Sequence, residues 1–487
     1  MTSDTGEATG QADPAADERG AETPTAVAYH DRMNDSDALM WNIEKDPMLR
    51  STITTIVSIS GHIDRDELHT HVERLSRAVP RLRERVRGNP YSLAPPRWEV
   101  DPNFDLDYHL RFVRAPGEGS ESDVLRLAEP IAMQGFDRAR PLWEMTYVDD
   151  LAEGNSALVV KIHHSVTDGV GAMRLMLELF DLEEHPAPRA QPDPPEVHVL
   201  NQAQRFIDAL GHQARAQRDM VGRLVKEAGE GSRAVLRGPL SSMEAATRMT
   251  ESVGRLLAPA TRPLGEGMQG RSLSCHFDVL TLPLAPLKTA GHVAGGKLND
   301  AFVTGVLLAF RHYHAALGKE VDALRISMPI NIRSENGPTT AGNAFVPARF
   351  VVPADTDDVL TLLCDTHQRL DAVVHEPAYA LVEPLASVLN RFPATVTTRV
   401  FGSMMRGLDF QASNVPGSPI PLYLLGHRVG SIVPFGPMAG AGANLTLLSY
   451  EDTVTIGVNV DPAAVQDPEL FMSCLRRAFD EVVAVSP

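Results

Sequence analysis

The chain is short of cysteine, of long apolar runs and of positive charge, and each shortage excludes something. Only Cys275, Cys364 and Cys474 occur in 487 residues, far apart and with no CxxC pair. That excludes a disulfide framework and a cysteine zinc site, and it suits a reducing cytoplasm. No apolar run reaches the roughly 18 residues of a membrane-spanning helix. The longest lies around Ala301 to Phe310. Lys and Arg number 45 against 63 Asp and Glu, a net charge of −18 that argues against nucleic acid as a partner.

What is present reads as a globular protein, with 43% hydrophobic and 22% charged residues. The length exceeds one ordinary core and suits two domains of about 200 residues with a linker. Residues 1–30 form an acidic tail with almost no large apolar side chain, expected to be disordered. It has no basic or apolar region of the kind a signal peptide needs. Residues 31–183 make a first α/β domain, with a strand over 49–63, a helix over 64–86 and another over 122–134. Strands at 142–149 and 156–164 and a helix at 170–181 follow. Residues 184–271 are a connection, opening with Pro186, Pro188, Pro192, Pro194 and Pro195 and continuing as a helical pattern over 200–257. Residues 272–487 make a second α/β domain. Its strands are expected near 273–281, 324–332, 344–353, 443–450 and 453–460, and its helices near 298–317, 357–375 and 467–484.

One heptapeptide carries most of the chemistry: His163-His164-Ser165-Val166-Thr167-Asp168-Gly169, an HHxxxDG. It joins an apolar strand to a helical pattern, with Asp168-Gly169 supplying the turn. Side chains alternate along a strand, so His164 is expected on the face of Leu158, Val160 and Ile162, and His163 on the other. Only one of the two then faces a reaction channel. A histidine held there suits a general base, because its ordinary pKa lies near neutrality. The bland alternative is a histidine pair that merely closes a strand.

Three further segments stand in order around it: Pro141-Leu142-Trp143-Glu144, Leu298-Asn299-Asp300 opening a helix, and Ser413-Asn414-Val415-Pro416-Gly417 with Pro421-Leu422-Tyr423 beyond. Together these resemble the coenzyme A-dependent acyltransferase superfamily of chloramphenicol acetyltransferase and the nonribosomal peptide condensation domains. Within it they are most similar to the bacterial wax ester synthase/diacylglycerol acyltransferase family, from about residue 33 to the C-terminus. The resemblance implies an α/β fold of two chloramphenicol acetyltransferase-like domains, each a mixed β-sheet with packed helices, and an active-site tunnel at their interface. It implies an O-acyltransferase that moves a long-chain acyl group from acyl-CoA to diacylglycerol or a fatty alcohol. Acyl-CoA would be a substrate, with no cofactor and no metal, and the enzyme would be cytoplasmic, resting peripherally on membrane or lipid inclusions.

Within that frame His164 is the expected base, His163 a packing or hydrogen-bonding neighbour, Asp168 structural, and Gly169 the residue that allows the turn. Related acyltransferases pair the motif's Asp with an Arg from elsewhere, and Arg333 is the expected partner. Trp143 reads as core and as support for the catalytic turn. Asn299 and Asp300 read either as a helix cap or, for Asn299, as a group facing the tunnel. Ser413 and Asn414 are candidates to donate to the oxyanion of acyl transfer. Apolar residues interleaved with Arg over 388–408 suit either a lipid interface or a buried helix pair broken at Pro393, and the basic stretch 203–237 is a second interface candidate.

Two rival functions stand beside this one: a free-standing condensation-type enzyme fed by a carrier-protein thioester, and a weakly active lipid-binding or droplet paralogue. The segments Met33 to Trp41 and Gly342 to Phe345 follow the family pattern only loosely. Acyl chain length, acceptor preference and oligomeric state are open at this point.

Overall fold

The computed structural model describes residues 30–88, 94–166, 175–215, 217–218, 251, 254, 258–260, 262–331, 345–376, 382–390, 392 and 394–485. The acidic tail expected at 1–30 lies outside them except for its last residue.

Helix α1 (Asp35–Ile43) begins where the Asn34 side chain accepts the Asp37 backbone N–H at 2.6 Å. Strand β1 (Thr52–Ile59) follows, then α2 (Arg65–Ala78), capped by Asp64. The helix expected to run to 86 stops at Ala78. Pro80 disfavours helical backbone at Val79, and the chain instead makes a short 3-10 turn and strand β2 (Glu84–Arg87), paired with β3 (Arg97–Val100). Strand β4 (Leu110–Arg114), helix α3 (Glu121–Met133) and strands β5 (Trp143–Asp149) and β6 (Ser156–His163) complete this half. Of the helix expected at 170–181, residues 175–179 are helical and 167–174 lie outside the described residues. In the connection, 184–198 has no regular structure, as its prolines predict, and 202–215 is helical. Most of the basic stretch 203–237 falls outside the described residues.

The second half holds β7 (His276–Pro283), α4 (Leu284–Val293), α5 (Leu298–Ala316), β8 (Ala323–Asn331), β9 (Phe345–Pro353) and α6 (Val359–Val374). Two short helices, α7 (Val382–Leu389) and α8 (Ala394–Met405), flank Pro393 as expected. Strands β10 (Phe410–Val415), β11 (Tyr423–Leu424), β12 (His427–Phe435), β13 (Ala443–Tyr450) and β14 (Thr453–Val460) lead to α9 (Pro468–Val483). Every residue from Ala301 to Phe310 is buried, so the longest apolar run is the core helix α5. Gly305 lets it close on α9, since a Cβ there would lie 2.7 Å from the Phe479 ring. Among the described residues no single helix is long and apolar enough to cross a membrane.

Two mixed six-stranded sheets result. One has the order β7-β14-β13-β10-β8-β9, with β10 parallel to both neighbours. The other has the order β11-β12-β1-β6-β5-β4. In it β12, from the second half of the chain, pairs antiparallel with β1 over Thr54↔Phe435 to Ile59↔Val429. The two halves of the sequence are therefore not the two sheets: residues 423–435 cross over to complete the first. Residues at the end of the first sheet and residues of the second line one cavity, and the candidate site lies there.

Candidate functional site

Strand β6 ends at His163, and its two histidines separate there. His163 pairs across to Thr52 and is fully buried, whereas His164 opens a turn and its backbone N–H donates to the Ser51 carbonyl at 2.9 Å. The alternation that set His164 on the face of Leu158, Val160 and Ile162 thus stops one residue early. The separation of the two rings survives because the turn continues it. His164 is half-buried and lines a cavity of ≈ 280 Å³ between the halves.

That cavity is mostly apolar. Leu39, Met40 and Ile43 of α1 form one wall, and Leu389, Phe401, Met404 and Met405 of α7 and α8 another. The side chains of α7 and α8 that turn inward line the cavity, while Phe392, Val396 and Val400 are exposed outside. The stretch thus forms two short helices around Pro393, with an inner apolar side on the cavity and an exposed apolar side. The third wall is polar and comes from β10 and β13, with Gln411, Ser413, Asn444 and Thr446. Three of these are committed: Thr446 Oγ1 donates to Asn444 Oδ1 at 2.8 Å, Asn444 Nδ2 to the Pro437 carbonyl at 2.8 Å, and Gln411 Nε2 to the Met438 carbonyl at 2.5 Å. Burial is the main force on His164, pushing its pKa down to about 4, with neighbouring His163 adding to it and its own backbone opposing. Its imidazole is accordingly neutral at pH 7, the form that accepts a proton.

His163 is held on both nitrogens. Nε2 lies 2.9 Å from Glu44 Oε1, and Nδ1 lies 2.7 Å from Ser165 Oγ and accepts the Ser165 backbone N–H at 3.1 Å. Neither nitrogen is left for a substrate. The rings of Trp41 and Phe136 stand edge-on to it at 5.9 and 6.2 Å. Sequence reasoning missed Glu44, whose only signal was its place just past the loosely matching segment 33–41.

The other expected residues divide. Trp143 is core: 1% exposed, with Nε1 donating to the Leu82 carbonyl at 2.7 Å and its ring stacked on His109 at 4.6 Å. Glu144, beside it, lies 3.7 Å from the fully buried Lys161 ammonium, whose charge also sits 4.5 Å over the Phe136 ring. Asp300 is not an N-cap; Lys297 holds that position, and Asp300, three residues in, accepts its backbone N–H at 2.6 Å. A second Asp300 oxygen meets His367 Nδ1 at 3.2 Å. Asn299 does not line the cavity. Its Oδ1 accepts Asn414 Nδ2 at 2.5 Å, so the two amides hold one another, and of the proposed oxyanion donors only Ser413 lines the cavity. Asp168, Gly169 and Arg333 lie outside the described residues. Among the described residues no group of His, Cys, Asp and Glu could hold a metal ion.

Comparison with known proteins points one way. Residues 33–302 match the wax ester synthase/diacylglycerol acyltransferase catalytic domain, and residues 341–482 match the C-terminal domain of the same family. A Mycobacterium tuberculosis protein named "Putative diacyglycerol O-acyltransferase Rv2484c" is 34% identical over 470 residues, covering 96% of this chain and 94% of its own. Another from that organism, "Probable diacyglycerol O-acyltransferase tgs1", is 26% identical over 84% of this chain and 86% of its own. In structure, the wax ester synthase/diacylglycerol acyltransferase of Marinobacter aquaeolei superposes with a TM-score of 0.59 at 20% identity, over 93% of this chain and 98% of its own. The first condensation domain of the calcium-dependent antibiotic synthetase superposes equally, with a TM-score of 0.59 at 15% identity over 94% and 97%. These two share the fold.

Proposed function

Because the chain belongs to the wax ester synthase/diacylglycerol acyltransferase family it is an acyltransferase, and we propose that it moves a long-chain acyl group from acyl-CoA to the hydroxyl of diacylglycerol or a fatty alcohol with His164 as base. The carrying observation is a neutral, half-buried imidazole opening onto a mostly apolar cavity of ≈ 280 Å³. His164 takes the acceptor's proton as its oxygen attacks the thioester carbonyl. A tetrahedral oxyanion forms, the C–S bond breaks, and the imidazolium returns the proton to the leaving thiolate. No covalent enzyme intermediate is needed. Ser413, on the polar wall, is the nearest fit to an oxyanion donor among the residues the sequence singled out. Apolar walls keep water from competing with the alcohol.

The lipid acceptor has to arrive from an apolar phase. The exposed Val396 and Val400 lie on α8, whose inner side lines the cavity, and the exposed Phe392 lies in the break just before it, which supports docking at a membrane or droplet surface there. We place the protein on that surface from the cytoplasm.

Purified protein given radiolabelled palmitoyl-CoA, with diacylglycerol and hexadecanol in parallel, tests the reading. Triacylglycerol or wax ester should form, and His164→Ala should lower the rate by about 10²–10⁴-fold. Consumption of an acylated carrier protein in place of acyl-CoA would assign the chain to the condensation type. Turnover that survives His164→Ala would reject the base.

A further inference from the structure

Glu44 follows α1 directly, and one of its oxygens gathers two parts of the site. Oε1 meets His163 Nε2 at 2.9 Å and accepts the Ser51 backbone N–H at 2.5 Å. The Ser51 carbonyl in turn accepts the His164 backbone N–H at 2.9 Å. Oε2 lies 3.7 Å from Arg138, whose guanidinium stacks 3.9 Å over the Trp41 ring. Burial tends to raise the Glu44 carboxyl, yet the adjacent His163 imidazole, with N–H donation from His163 and Ser51, holds it below the ordinary range.

The geometry fixes more than proximity. A backbone N–H can only donate, so the Ser165 N–H at 3.1 Å makes His163 Nδ1 an acceptor. The His163 proton then sits on Nε2, aimed at Glu44. Ser165 Oγ, 2.7 Å from the same Nδ1, is oriented as a second donor. A carboxylate that accepts Nε2–H selects this tautomer and clamps the turn from His163 to Ser165.

We propose that Glu44 is a positioning residue for acyl transfer. Through His163 it sets the turn that leads into His164, and through Ser51 it sets the His164 backbone. The imidazole of the base is thereby presented to the cavity in one orientation. The inference rests on His164 being the base. It also gives α1 a double task, since Leu39, Met40 and Ile43, on the helix that ends at Glu44, line the cavity itself. The wall that meets the lipid and the anchor that orients the base are consecutive stretches of one segment.

Both N–H contacts converge on a single oxygen, which a glutamine carbonyl can reproduce and an alanine cannot. The full chain with ¹⁵N-labelled histidine should therefore be studied as wild type, Glu44→Gln and Glu44→Ala, by steady-state kinetics and long-range ¹H–¹⁵N spectra. In wild type His163 should carry its proton on Nε2. Glu44→Ala should lower kcat by about 10²-fold with KM within about twofold and lose the single His163 tautomer. Glu44→Gln should keep the tautomer and recover kcat to within about tenfold. Wild-type kcat in Glu44→Ala, or a wild-type His163 protonated on Nδ1, overturns the proposal. If Glu44→Ala does not fold, Glu44→Gln decides: a folded Gln variant with the tautomer kept and kcat lost by about 10²-fold overturns it, and retained kcat supports it. His164→Ala, measured alongside, separates failure of the base assignment from failure of the positioning role, because it leaves the His163 tautomer readable.

Discussion

Asn414 Nδ2 donates to Asn299 Oδ1 at 2.5 Å, tying the end of β10 to the first turn of α5 across more than a hundred residues. Each amide belongs to a segment that looked functional in sequence, and one hydrogen bond joins the two. Asn414 is the chain neighbour of Ser413, which lines the cavity. Asn299→Ala and Asn414→Ala should each destabilise the protein by about 1 kcal/mol or more, because each leaves a part-buried amide unpaired. The double variant should cost less than the sum by about 0.5–1 kcal/mol. Urea unfolding of the four proteins measures the coupling, and strict additivity would show that the bond contributes nothing.

His164 acts as a base only when neutral. With its pKa lowered by burial to about 4, activity is present above that value and lost as pH falls through it. The acidic limb of kcat/KM, which reports the free enzyme, should lie near pH 4, with a plateau from about pH 5.5 to 8. A limb near the ordinary histidine value of about 6.5 would mean that His164 meets more water than its place in the cavity implies.

His109 is fully buried between the rings of Phe104 and Trp143, at 5.3 and 4.6 Å, and its Nδ1–H donates to the Trp143 carbonyl at 2.7 Å. Burial lowers its pKa to about 4, outweighing that hydrogen bond. The unfolded chain, at about 6.5, therefore binds this proton first as pH falls, so the native state loses stability between about 6.5 and 4. The loss from pH 7 to 5 should be about 2 kcal/mol from this residue alone. His109→Gln keeps a donor for Trp143 and cannot titrate, so the difference in chemical-denaturation stability between the two pH values should shrink by that amount.

Trp143→Phe should separate packing from chemistry. It keeps a ring against His109 and removes the N–H that satisfies the Leu82 carbonyl, costing about 1–3 kcal/mol. Because Trp143 does not line the cavity, kcat per folded molecule should stay within about twofold of wild type. A large fall in kcat at full foldedness would place the indole in the reaction.

The sequence made the local elements readable and left the distant partnerships obscure. Periodicity and caps foretold α3, α5, α6 and α9 to within about two residues, since their signals are local. That His163 and His164 would not share a face was also readable, although the strand ends at His163 and the turn, not alternation, parts them. Glu44 was not, because its partner lies 119 residues on and nothing in 33–44 requires a carboxylate to meet a histidine. Asn299 suggested a cap or a ligand and Asn414 an oxyanion donor, and only the fold shows that the two meet. Strand β12 escaped notice for a similar reason. His427–Phe435 contains Arg, Gly, Ser and Pro and alternates poorly, and what makes it a strand is β1, some 370 residues earlier.

That pairing of β12 with β1 sets an order on synthesis. β1 ends at Ile59, while the strand that covers its open edge ends at Phe435. Throughout translation of the intervening chain, one side of β1 has no neighbour to take up its backbone N–H and C=O groups. An uncovered edge of this kind is where a nascent chain meets another copy of itself. The first sheet thus stays unfinished until residue 435 has left the ribosome, and truncations before it should be recovered as aggregates instead of as a working half.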